Sequence, residues 1–319
     1  MTQVSIVMPV FNDAEHLPSA IDRVLGQRGV EVQLVLVDDG STDGSRGIAE
    51  EAARRDERVT ALLLPANGGV AAARRRGVEA ASGDWIWFVD SDDHWPDDAA
   101  ACLVGAAAAA NGADVVVADA LLVPTSGAPR TIPAPRLPAH TGPQAVGLLL
   151  QGVVTGHLWN KLFRRSLLLG VDFPPARVQS DLALVANALA AAGTVTFCGR
   201  QVYEYRKRTG SIITSRHRRV ESLAVVEQTV VDAALRAGVA PTGAELTYFR
   251  LRYIALSGMK DALSGAYDEA ESRALVAAAR RRIGVTGLTL LARRRDKRIA
   301  LAALAYAPRR VQLHFVGRR

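Results

Sequence analysis

The sequence predicts an α/β fold in which a doubly wound, mostly parallel sheet is followed by a helical C-terminal extension. Two observations support this class. In the first 90 residues, four short apolar runs of β-favouring residues alternate with segments of helical pattern. Such alternation is typical of βαβ units, whose parallel strands carry helices on both faces of the sheet. The end of the chain contains several helical segments, so we expect one domain over residues 1–215 and a helical region over residues 216–319.

The first half of the predicted sheet follows from these apolar runs. Strands are assigned to residues 4–10, 32–37, 59–64 and 85–89. The first run is almost uninterrupted, as expected of a strand that is buried on both faces. Helices are predicted between them at residues 15–27, 45–54 and 70–81. Asn12 and Asp13 are expected to cap the first helix, and Ser or Asp side chains of the turn-rich residues 38–45 the second.

The pattern becomes less regular further along the chain. A helix is predicted at residues 99–110 and a strand at 113–123, followed by a proline-rich loop at 124–143. A loop of this length in a compact domain is either functional or mobile. Helices are expected at residues 145–150 and 181–192, and a short strand precedes Tyr203. The C-terminal helices are predicted at residues 219–237, 244–263, 268–282 and 297–305.

The net charge of +7 is unevenly distributed along the chain. From Arg206 onward there are 23 Lys or Arg and 9 Asp or Glu, whereas the preceding residues hold 16 and 23. A basic C-terminal part favours a polyanionic or membrane-surface partner. No zinc-finger spacing or aromatic-basic RNA motif is present, so no nucleic-acid partner is expected.

The sequence shows neither a signal-peptide pattern nor an apolar run close to the roughly 20 residues that a spanning helix needs. We therefore expect a cytoplasmic protein, with peripheral association at the inner face of the membrane as an extension of that prediction. Cys102 and Cys198 lie in apolar surroundings, which suits buried hydrophobic side chains better than a disulfide or a metal site.

An acidic cluster follows the fourth predicted strand. The apolar residues 86–89 are succeeded by Asp90, Asp92 and Asp93, with Ser91 between the first two. Carboxylates at the end of a buried strand are costly unless they meet solvent, hydrogen-bond donors or a cation. Hard Mg²⁺ or Mn²⁺ binds through one or two carboxylates together with substrate phosphates. The cluster therefore predicts a divalent metal site.

Polar or aromatic residues follow three of the predicted strands. Ligands of parallel sheets bind at the carboxyl ends of strands, where these residues lie. These residues are Phe11, Asp38, Asp39, Asp90, Asp92 and Asp93. Three such loops at one sheet edge are stronger evidence for a site than a single acidic loop. For residues 38–45 alone, a capped turn and a binding site are equally good interpretations.

Six segments resemble, in order, the motifs of bacterial family 2 glycosyltransferases, which have the Rossmann-like GT-A fold. They are residues 5–12; residues 37–45; Asn67-Gly68-Gly69 with Ala73, Arg74 and Gly77; Asp90-Ser91-Asp92-Asp93, the DxD metal motif; residues 159–163, the WNK segment; and Tyr205-Arg206 with Gly210-Ser211. The resemblance covers about residues 3–215. Two departures are Arg75, where the family often has Asn, and Ser180 before Asp181, where many members have Glu.

The resemblance implies an inverting transfer from a nucleotide-diphosphate sugar, with a UDP-sugar favoured, in cell-surface polysaccharide or glycoconjugate synthesis. Asp181 aligns with the family's base. The expected nucleotide-sugar contacts are Pro9, Phe11, Asp39, Arg74, Asp90, Ser91 and Asp92. Asp92 and Asp90 would hold Mn²⁺ or Mg²⁺, with Asp92 as the chief ligand. Candidates for acceptor or phosphate contacts are Asp93, Trp159, Asn160, Lys161 and Arg206.

Three aromatic residues near the acidic cluster have different expected roles. Trp85 and Trp87 alternate with apolar neighbours on a predicted strand, so they are expected in the core. Trp95 follows the carboxylates on a loop and is a candidate wall of the sugar pocket.

Two other functions remain open. A metal-dependent nucleotidyltransferase would need a glycine-rich, basic phosphate loop after the first strand, which residues 11–17 lack. A catalytically silent sugar-binding or scaffold homologue is disfavoured by the intact Asp90, Asp92 and Asp181. A nicotinamide dehydrogenase is disfavoured because no GxGxxG follows the first strand.

The acceptor is expected to be a hydroxyl of a glycan or of a lipid-linked molecule. The C-terminal cations at residues 280–282 and 293–298 could contact anionic lipid. Apolar residues interleave with the cations of this region: Leu301, Leu304, Tyr306, Val311, Leu313 and Phe315. These side chains could instead pack on the core or on a second subunit of a homo-oligomer.

Overall fold

The computed structural model describes residues 3–207, 218–240 and 242–316 of the chain. Within these residues, nine strands form one sheet. They are β1 (Gln3–Val10), β2 (Glu31–Asp38), β3 (Val59–Leu63), β4 (Trp85–Phe88), β5 (Val115–Val123), β6 (Arg130–Ile132), β7 (His140–Thr141), β8 (Lys161–Arg164) and β9 (Thr194–Arg206). The predicted α/β class is confirmed.

The sheet has the order β3-β2-β1-β4-β8-β5-β9-β7, and β6 pairs with β5. β1 is parallel to β2 and β4, and β2 is parallel to β3, so the first four strands form a parallel half. In the other half, β8 lies antiparallel between β4 and β5, whereas β9 is parallel to β5. Because parallel strands end at the same edge, the loops after β1, β2 and β4 are brought together.

Helices connect and cover the strands. Those of the first 200 residues are α1 (Leu17–Leu25), α2 (Ser45–Arg55), α3 (Val70–Ala80), α4 (Ala99–Ala109), α5 (Gly142–Gln151), α6 (Arg165–Leu169) and α7 (Ser180–Ala191). The C-terminal region contains α8 (Val220–Arg236), α9 (Ala244–Phe249), a π-helical segment (Arg250–Ala255), α10 (Leu256–Ala262), α11 (Glu269–Arg293), α12 (Ile299–Leu304) and α13 (Arg309–Val316). α11 is interrupted at Gly284, where φ is 52° and ψ is −174°.

Apolar clusters cover both faces of the sheet, because alternate residues of a strand point to opposite sides. Val7 and Ile86 belong to one cluster, together with residues of α3, α5, α7 and α8. Ile6 and Trp87 belong to the other, together with residues of α1 and α4. Trp85 and Trp87 are buried, which confirms their predicted place in the core.

Several local expectations need correction. α1 begins at Leu17 without a side-chain cap, so Asn12 and Asp13 do not cap it. β8 is not predicted by the sequence pattern, and the strand that includes Tyr203 is 13 residues long rather than short. The loop at residues 124–143 contains β6 and β7. The carboxylate of Asp119 anchors this loop, 2.7 Å from Arg136 Nη2 and 2.6 Å from the backbone N of Ala134.

The C-terminal helices form two groups. α8 contributes Val226 and Val230 to the cluster that covers the sheet. The later helices form a separate apolar cluster that includes Leu301 and Leu304. Because these two side chains are buried, they cannot insert into a lipid surface, whereas Tyr306 is 47% exposed.

The other apolar residues of this region are Val311, Leu313 and Phe315. Val311 is 45% exposed, while the side chains of Leu313 and Phe315 lie outside the described residues. In the described part of the chain, no helix combines the length and the apolar composition that crossing a bilayer requires.

Candidate active site

The loops after β1, β2 and β4 are joined by hydrogen bonds at the carboxyl edge of the parallel half-sheet. The backbone N of Asn12 donates to Ser41 Oγ at 3.0 Å, and that of Asp13 donates to Ser45 Oγ at 2.9 Å. Ser91 Oγ donates to the carboxylate of Asp13. Asn12 has a φ of 52°, an uncommon value for a residue with a side chain. The predicted convergence of these three loops is therefore present in the structure.

The nucleotide-side candidates occupy this edge in different environments. Phe11 is 49% exposed, which is unusual for a large apolar side chain and leaves its ring available for stacking. Pro9 is partly buried at the end of β1. The buried carboxylate of Asp39 accepts hydrogen bonds from the backbone N of Gly68 at 2.8 Å and of Gly69 at 2.9 Å. These bonds occupy two of its roughly four acceptor positions and fix the loop before α3.

Arg74 of α3 links the acidic loop to the start of α7. Its buried guanidinium lies 2.5 Å from Asp181 Oδ1 and 3.5 Å from Asp90 Oδ1. Burial opposes the charge of Arg74, but the two carboxylates outweigh this effect and raise its pKa. Asp181 is in the first turn of α7, where the helix dipole favours a negative charge. One cation thus brings together residues that are 107 positions apart in the sequence.

Negative charge is concentrated at the acidic loop. Burial raises the pKa of Asp90 to about 6, with Asp181 and Asp92 adding to the shift and Arg74 opposing it. Asp93 is fully buried, and burial together with Asp90 and Asp92 raises its pKa to about 8. Asp93 Oδ1 accepts from the backbone N of Arg206 at 2.9 Å. Its Oδ2 has no hydrogen-bond partner among the described residues.

These residues fit a hard divalent cation. Their oxygens are the ligand type that Mg²⁺ and Mn²⁺ prefer, and crowded carboxylates with an unpartnered buried oxygen gain from a nearby positive charge. Within the residues described, no three His, Cys, Asp or Glu side chains are arranged to hold a metal ion alone. A cation at Asp90 and Asp92 would therefore need further oxygens from water or from a substrate diphosphate.

The WNK segment is buried beside the acidic loop. The ring of Trp159 stacks between His157 and Tyr203, with centroid distances of 4.5 and 5.0 Å. Asn160 Nδ2 donates to the carbonyl of Ala118 at 2.8 Å. Lys161 Nζ donates to the carbonyl of His157 at 2.6 Å and to Asn160 Oδ1 at 2.9 Å. In this structure, the three motif side chains brace the wall of the site and do not face solvent.

Lys161 and Arg206 differ in their surroundings. Burial lowers the pKa of Lys161 to about 7, and the negative charge of Asp181 opposes this shift. The side chain of Arg206 is exposed and lies 3.3 Å from Glu204 Oε2, while its backbone binds Asp93. Gly210 and Ser211, the rest of that motif, lie outside the described residues.

Two residues of the site are not among those predicted from the sequence. Asp13 bridges the β1 loop and Ser91, and Tyr203 Oη accepts from the backbone N of Asp90 at 3.0 Å. Both contacts join residues more than 70 positions apart, and no local pattern marks either side chain. Trp95 is buried against Trp87 and Tyr203 rather than exposed on a pocket wall.

The chain is similar in sequence to a known protein family and to two of the proteins described below. The model of glycosyl transferase family 2 matches residues 5–169. An uncharacterized glycosyltransferase of Haemophilus influenzae is 44% identical over 98 residues, 31% of this chain and 39% of that protein. The succinoglycan biosynthesis protein ExoO of Rhizobium meliloti is 33% identical over 218 residues, 66% of this chain and 62% of ExoO. The chain thus spans less than two thirds of the length of these relatives.

A solved structure supports the fold over nearly the whole chain. The S. aureus TarS structure, residues 1–349 with UDP-GlcNAc, matches with a TM-score of 0.68. The match covers 96% of this chain and 90% of the TarS chain, at 18% sequence identity. This similarity shows that the two chains share a GT-A type fold. Because the family model covers more than half of the residues, the chain belongs to glycosyl transferase family 2.

Proposed function

We propose that this protein transfers a sugar from a UDP-sugar to a hydroxyl of a glycan or lipid-linked acceptor, with inversion at the anomeric carbon. The observation that carries this proposal is the position of Arg74 between Asp90 and Asp181. It puts the acidic loop suited to a metal and diphosphate next to a carboxylate suited to act as a base. A transferase needs these two functions on opposite sides of the bond that breaks.

The nucleoside part of the donor is assigned to the β1 and β2 loops. Phe11 offers an exposed aromatic face for the base, and Asp39 offers carboxylate oxygens for a ring N–H. The TarS structure that shares this fold was solved with UDP-GlcNAc, which favours a UDP-linked donor here as well. Pro9 and Ser91 complete the proposed nucleotide-side surface.

The diphosphate is assigned to Asp92 and Asp90 with Mn²⁺ or Mg²⁺. When bound, the cation would stabilise the charge that grows on the diphosphate as the glycosidic bond breaks. Arg74 already neutralises part of the charge of Asp90 and holds its carboxylate in place. Asp92 is then left as the chief metal ligand.

Asp181 is proposed as the base. Its carboxylate would take the proton of the acceptor hydroxyl while the hydroxyl oxygen attacks the anomeric carbon and the bond to the diphosphate oxygen breaks. Its side chain is 27% exposed, so an acceptor can reach it, and the contact with Arg74 fixes its position. Asp93, Trp159, Asn160, Lys161 and Arg206 stay candidates for acceptor or phosphate contacts.

Cell-surface polysaccharide or glycoconjugate synthesis is the proposed setting, and the similarity to ExoO, a succinoglycan biosynthesis protein, supports it. A lipid-linked acceptor would require the enzyme to work beside a membrane. The exposed cations at residues 293–295, 297 and 298 would then favour an anionic lipid surface at about 1 kcal/mol each. A second subunit as a partner of this region stays a prediction.

The donor is tested by thermal-shift measurements with UDP-, GDP- and dTDP-linked sugars, each with Mn²⁺, with Mg²⁺ and with a chelator. A ligand at 100 times its Kd stabilises the folded state by about 2.7 kcal/mol, so the correct donor should raise Tm measurably. Because the donor diphosphate is proposed to bind through the metal, this rise should appear with Mn²⁺ or Mg²⁺ and be lost with the chelator.

The reaction is identified by its products. Release of nucleoside diphosphate together with a new glycoside identifies the transferase. Release of pyrophosphate from a nucleoside triphosphate would identify a nucleotidyltransferase instead, and donor binding without turnover a silent homologue.

The base is tested with Asp181→Asn. General-base catalysis contributes about 10²- to 10⁴-fold, so kcat should fall by that factor while the donor Kd stays nearly unchanged. The measurement is steady-state turnover together with calorimetric donor binding. Wild-type turnover by the variant would remove Asp181 from this role.

A further inference from the structure

The C-terminal region contains a basic cleft that the proposed transfer reaction does not use. Its volume is about 630 Å³, and it lies where α11 ends and α12 begins, facing α10. Five cationic side chains line it: Lys260, Arg294, Arg295, Lys297 and Arg298. Asp296 is the acidic residue of the lining. This volume is within the range of about 300 to 1,000 Å³ that is typical of small-molecule sites.

Hydrogen bonds and ring contacts fix the residues at the floor of the cleft. Asp296 Oδ2 accepts from Tyr248 Oη at 2.5 Å, and Asp296 Oδ1 accepts from the backbone N of Arg298 at 2.9 Å. The guanidinium of Arg298 also contacts Asp296 Oδ1 at 3.0 Å. The guanidinium of Arg294 lies 4.3 Å from the centre of the Tyr248 ring, which is itself buried. Tyr248 and Asp296 therefore hold two of the arginines in defined positions.

Two other cations of the cleft, Arg295 and Lys297, are not neutralised in this way. Arg295 and Lys297 flank Asp296 and are exposed, and in the described part of the chain neither pairs with a carboxylate. Asp296 is already engaged by Tyr248 and Arg298. Convergent like charges are unfavourable without a counter-ion, so the cleft favours an anion of more than one charge.

We propose that this cleft binds a phosphate ester. Guanidinium groups match the geometry of phosphate oxygens and bind them through paired hydrogen bonds, and the volume admits an organic group beside the phosphate. The ester could come from a soluble phosphorylated molecule or from a phospholipid head group. None of the lining residues belongs to the proposed donor site, so this inference is tested independently of sugar transfer. Its phospholipid alternative makes more specific the membrane contact proposed above for residues 293–298.

The test compares two double variants that make the same change in charge. Arg295→Glu with Lys297→Glu alters the cleft but leaves Tyr248, Asp296 and the two arginines that they position unchanged. Arg280→Glu with Arg281→Glu alters exposed cations of α11 outside the lining. Thermal unfolding first shows that both variants fold. Binding of glycerol 3-phosphate is then measured by calorimetry without divalent metal, and binding to phosphatidylglycerol vesicles by sedimentation, with phosphatidylcholine as the control.

The proposal predicts saturable binding of one glycerol 3-phosphate per chain. The cleft variant should weaken it roughly tenfold or more, since charge-assisted hydrogen bonds are lost, and the α11 variant should not. If vesicle binding is also lost only in the cleft variant, the ester is a lipid head group. If vesicle binding is absent or equally reduced in both variants, the source is soluble. No saturable glycerol 3-phosphate binding, or equal loss in both variants, would overturn the proposal.

Discussion

Arg74 is the residue on which the geometry of the site depends most. It is buried, and its guanidinium contacts the proposed base Asp181 and the proposed metal ligand Asp90. Without it, Asp90 and Asp181 would lose the described cation that lies between them. The same ion pairs therefore stabilise the fold and position the two carboxylates of the site.

Arg74→Gln should destabilise the protein. Removing one partner of a buried ion pair costs about 3 to 5 kcal/mol, and we expect the lower part of this range because both carboxylates keep some contact with solvent. Urea unfolding gives the value. Arg75→Gln is the matched control on the same helix, since Arg75 is exposed and pairs with Glu79, and it should cost no more than about 0.5 kcal/mol. Equal effects of the two substitutions would contradict the role given to Arg74.

The burial of Lys161 should make the stability of the protein depend on pH. Burial lowers its pKa to about 7 in the folded state, against 10.5 for an ordinary lysine. Between these values, the unfolded chain binds a proton that the folded chain does not, so this residue makes stability rise with pH. The free energy of unfolding of wild type minus that of Lys161→Met should increase from pH 7 to pH 9.5, by up to about 1.4 kcal/mol per pH unit. Urea unfolding across that range measures it, and a flat difference would contradict the burial argument.

Most of the proposed site residues are indicated by short local motifs, and their roles stay predictions. Asp90, Arg74 and Asp181 each follow from such a motif, although only the structure shows that they touch. Tyr203 and Asp13 could not be predicted, because their roles depend on contacts across distant parts of the chain. The WNK segment also could not show that Lys161 is buried, because a lysine in a loop is usually solvated.

At the scale of the element, the close packing of α3 on the sheet positions Arg74. A Cβ added to Gly77 would lie 2.3 Å from Val7 Cγ1 and 3.3 Å from Val37 Cγ2. No side chain fits there without moving the helix away from β1 and β2. Gly77 lies about one helical turn after Arg74, so the same contact sets how far the arginine reaches.

Gly77→Ala should therefore destabilise the protein by about 1 to 3 kcal/mol, the usual cost of overpacking a core. Gly105→Ala is the matched control on α4, where an added Cβ meets nothing within 4 Å. It should stabilise the protein by about 0.5 to 1 kcal/mol, because alanine favours the helix more than glycine. Thermal and urea unfolding of both variants test this contrast, and a neutral Gly77→Ala would show that α3 is not held by this contact.

Elements with strong periodicity could be predicted, and those formed by tertiary pairing could not. The four parallel strands are mostly apolar and rich in β-favouring residues, so each is indicated by the sequence alone. β8 is only four residues long, includes Lys161 and Arg164, and is a strand because β4 and β5 pair with it on both sides. Local composition does not reveal such a strand.

At the scale of the whole molecule, the domain boundary near residue 215 stays a prediction, and part of the chain beyond it shares the core of the sheet. Val226 and Val230 of α8 pack in the cluster that covers the sheet, whereas Leu301 and Leu304 belong to a separate cluster. The first part of the C-terminal region therefore completes the core beside the site. The later helices form a second unit of packing, and they carry the basic cleft.

We propose that the carboxyl edge of the sheet binds a nucleoside diphosphate through a metal held by Asp92 and Asp90. Calorimetric titration of UDP into wild type and into Asp92→Ala, each with Mn²⁺ and with a chelator, tests it most directly. We predict that Mn²⁺ strengthens UDP binding to wild type by at least roughly tenfold, and that Asp92→Ala loses this gain. Unchanged UDP affinity of Asp92→Ala in the presence of Mn²⁺ would contradict the claim.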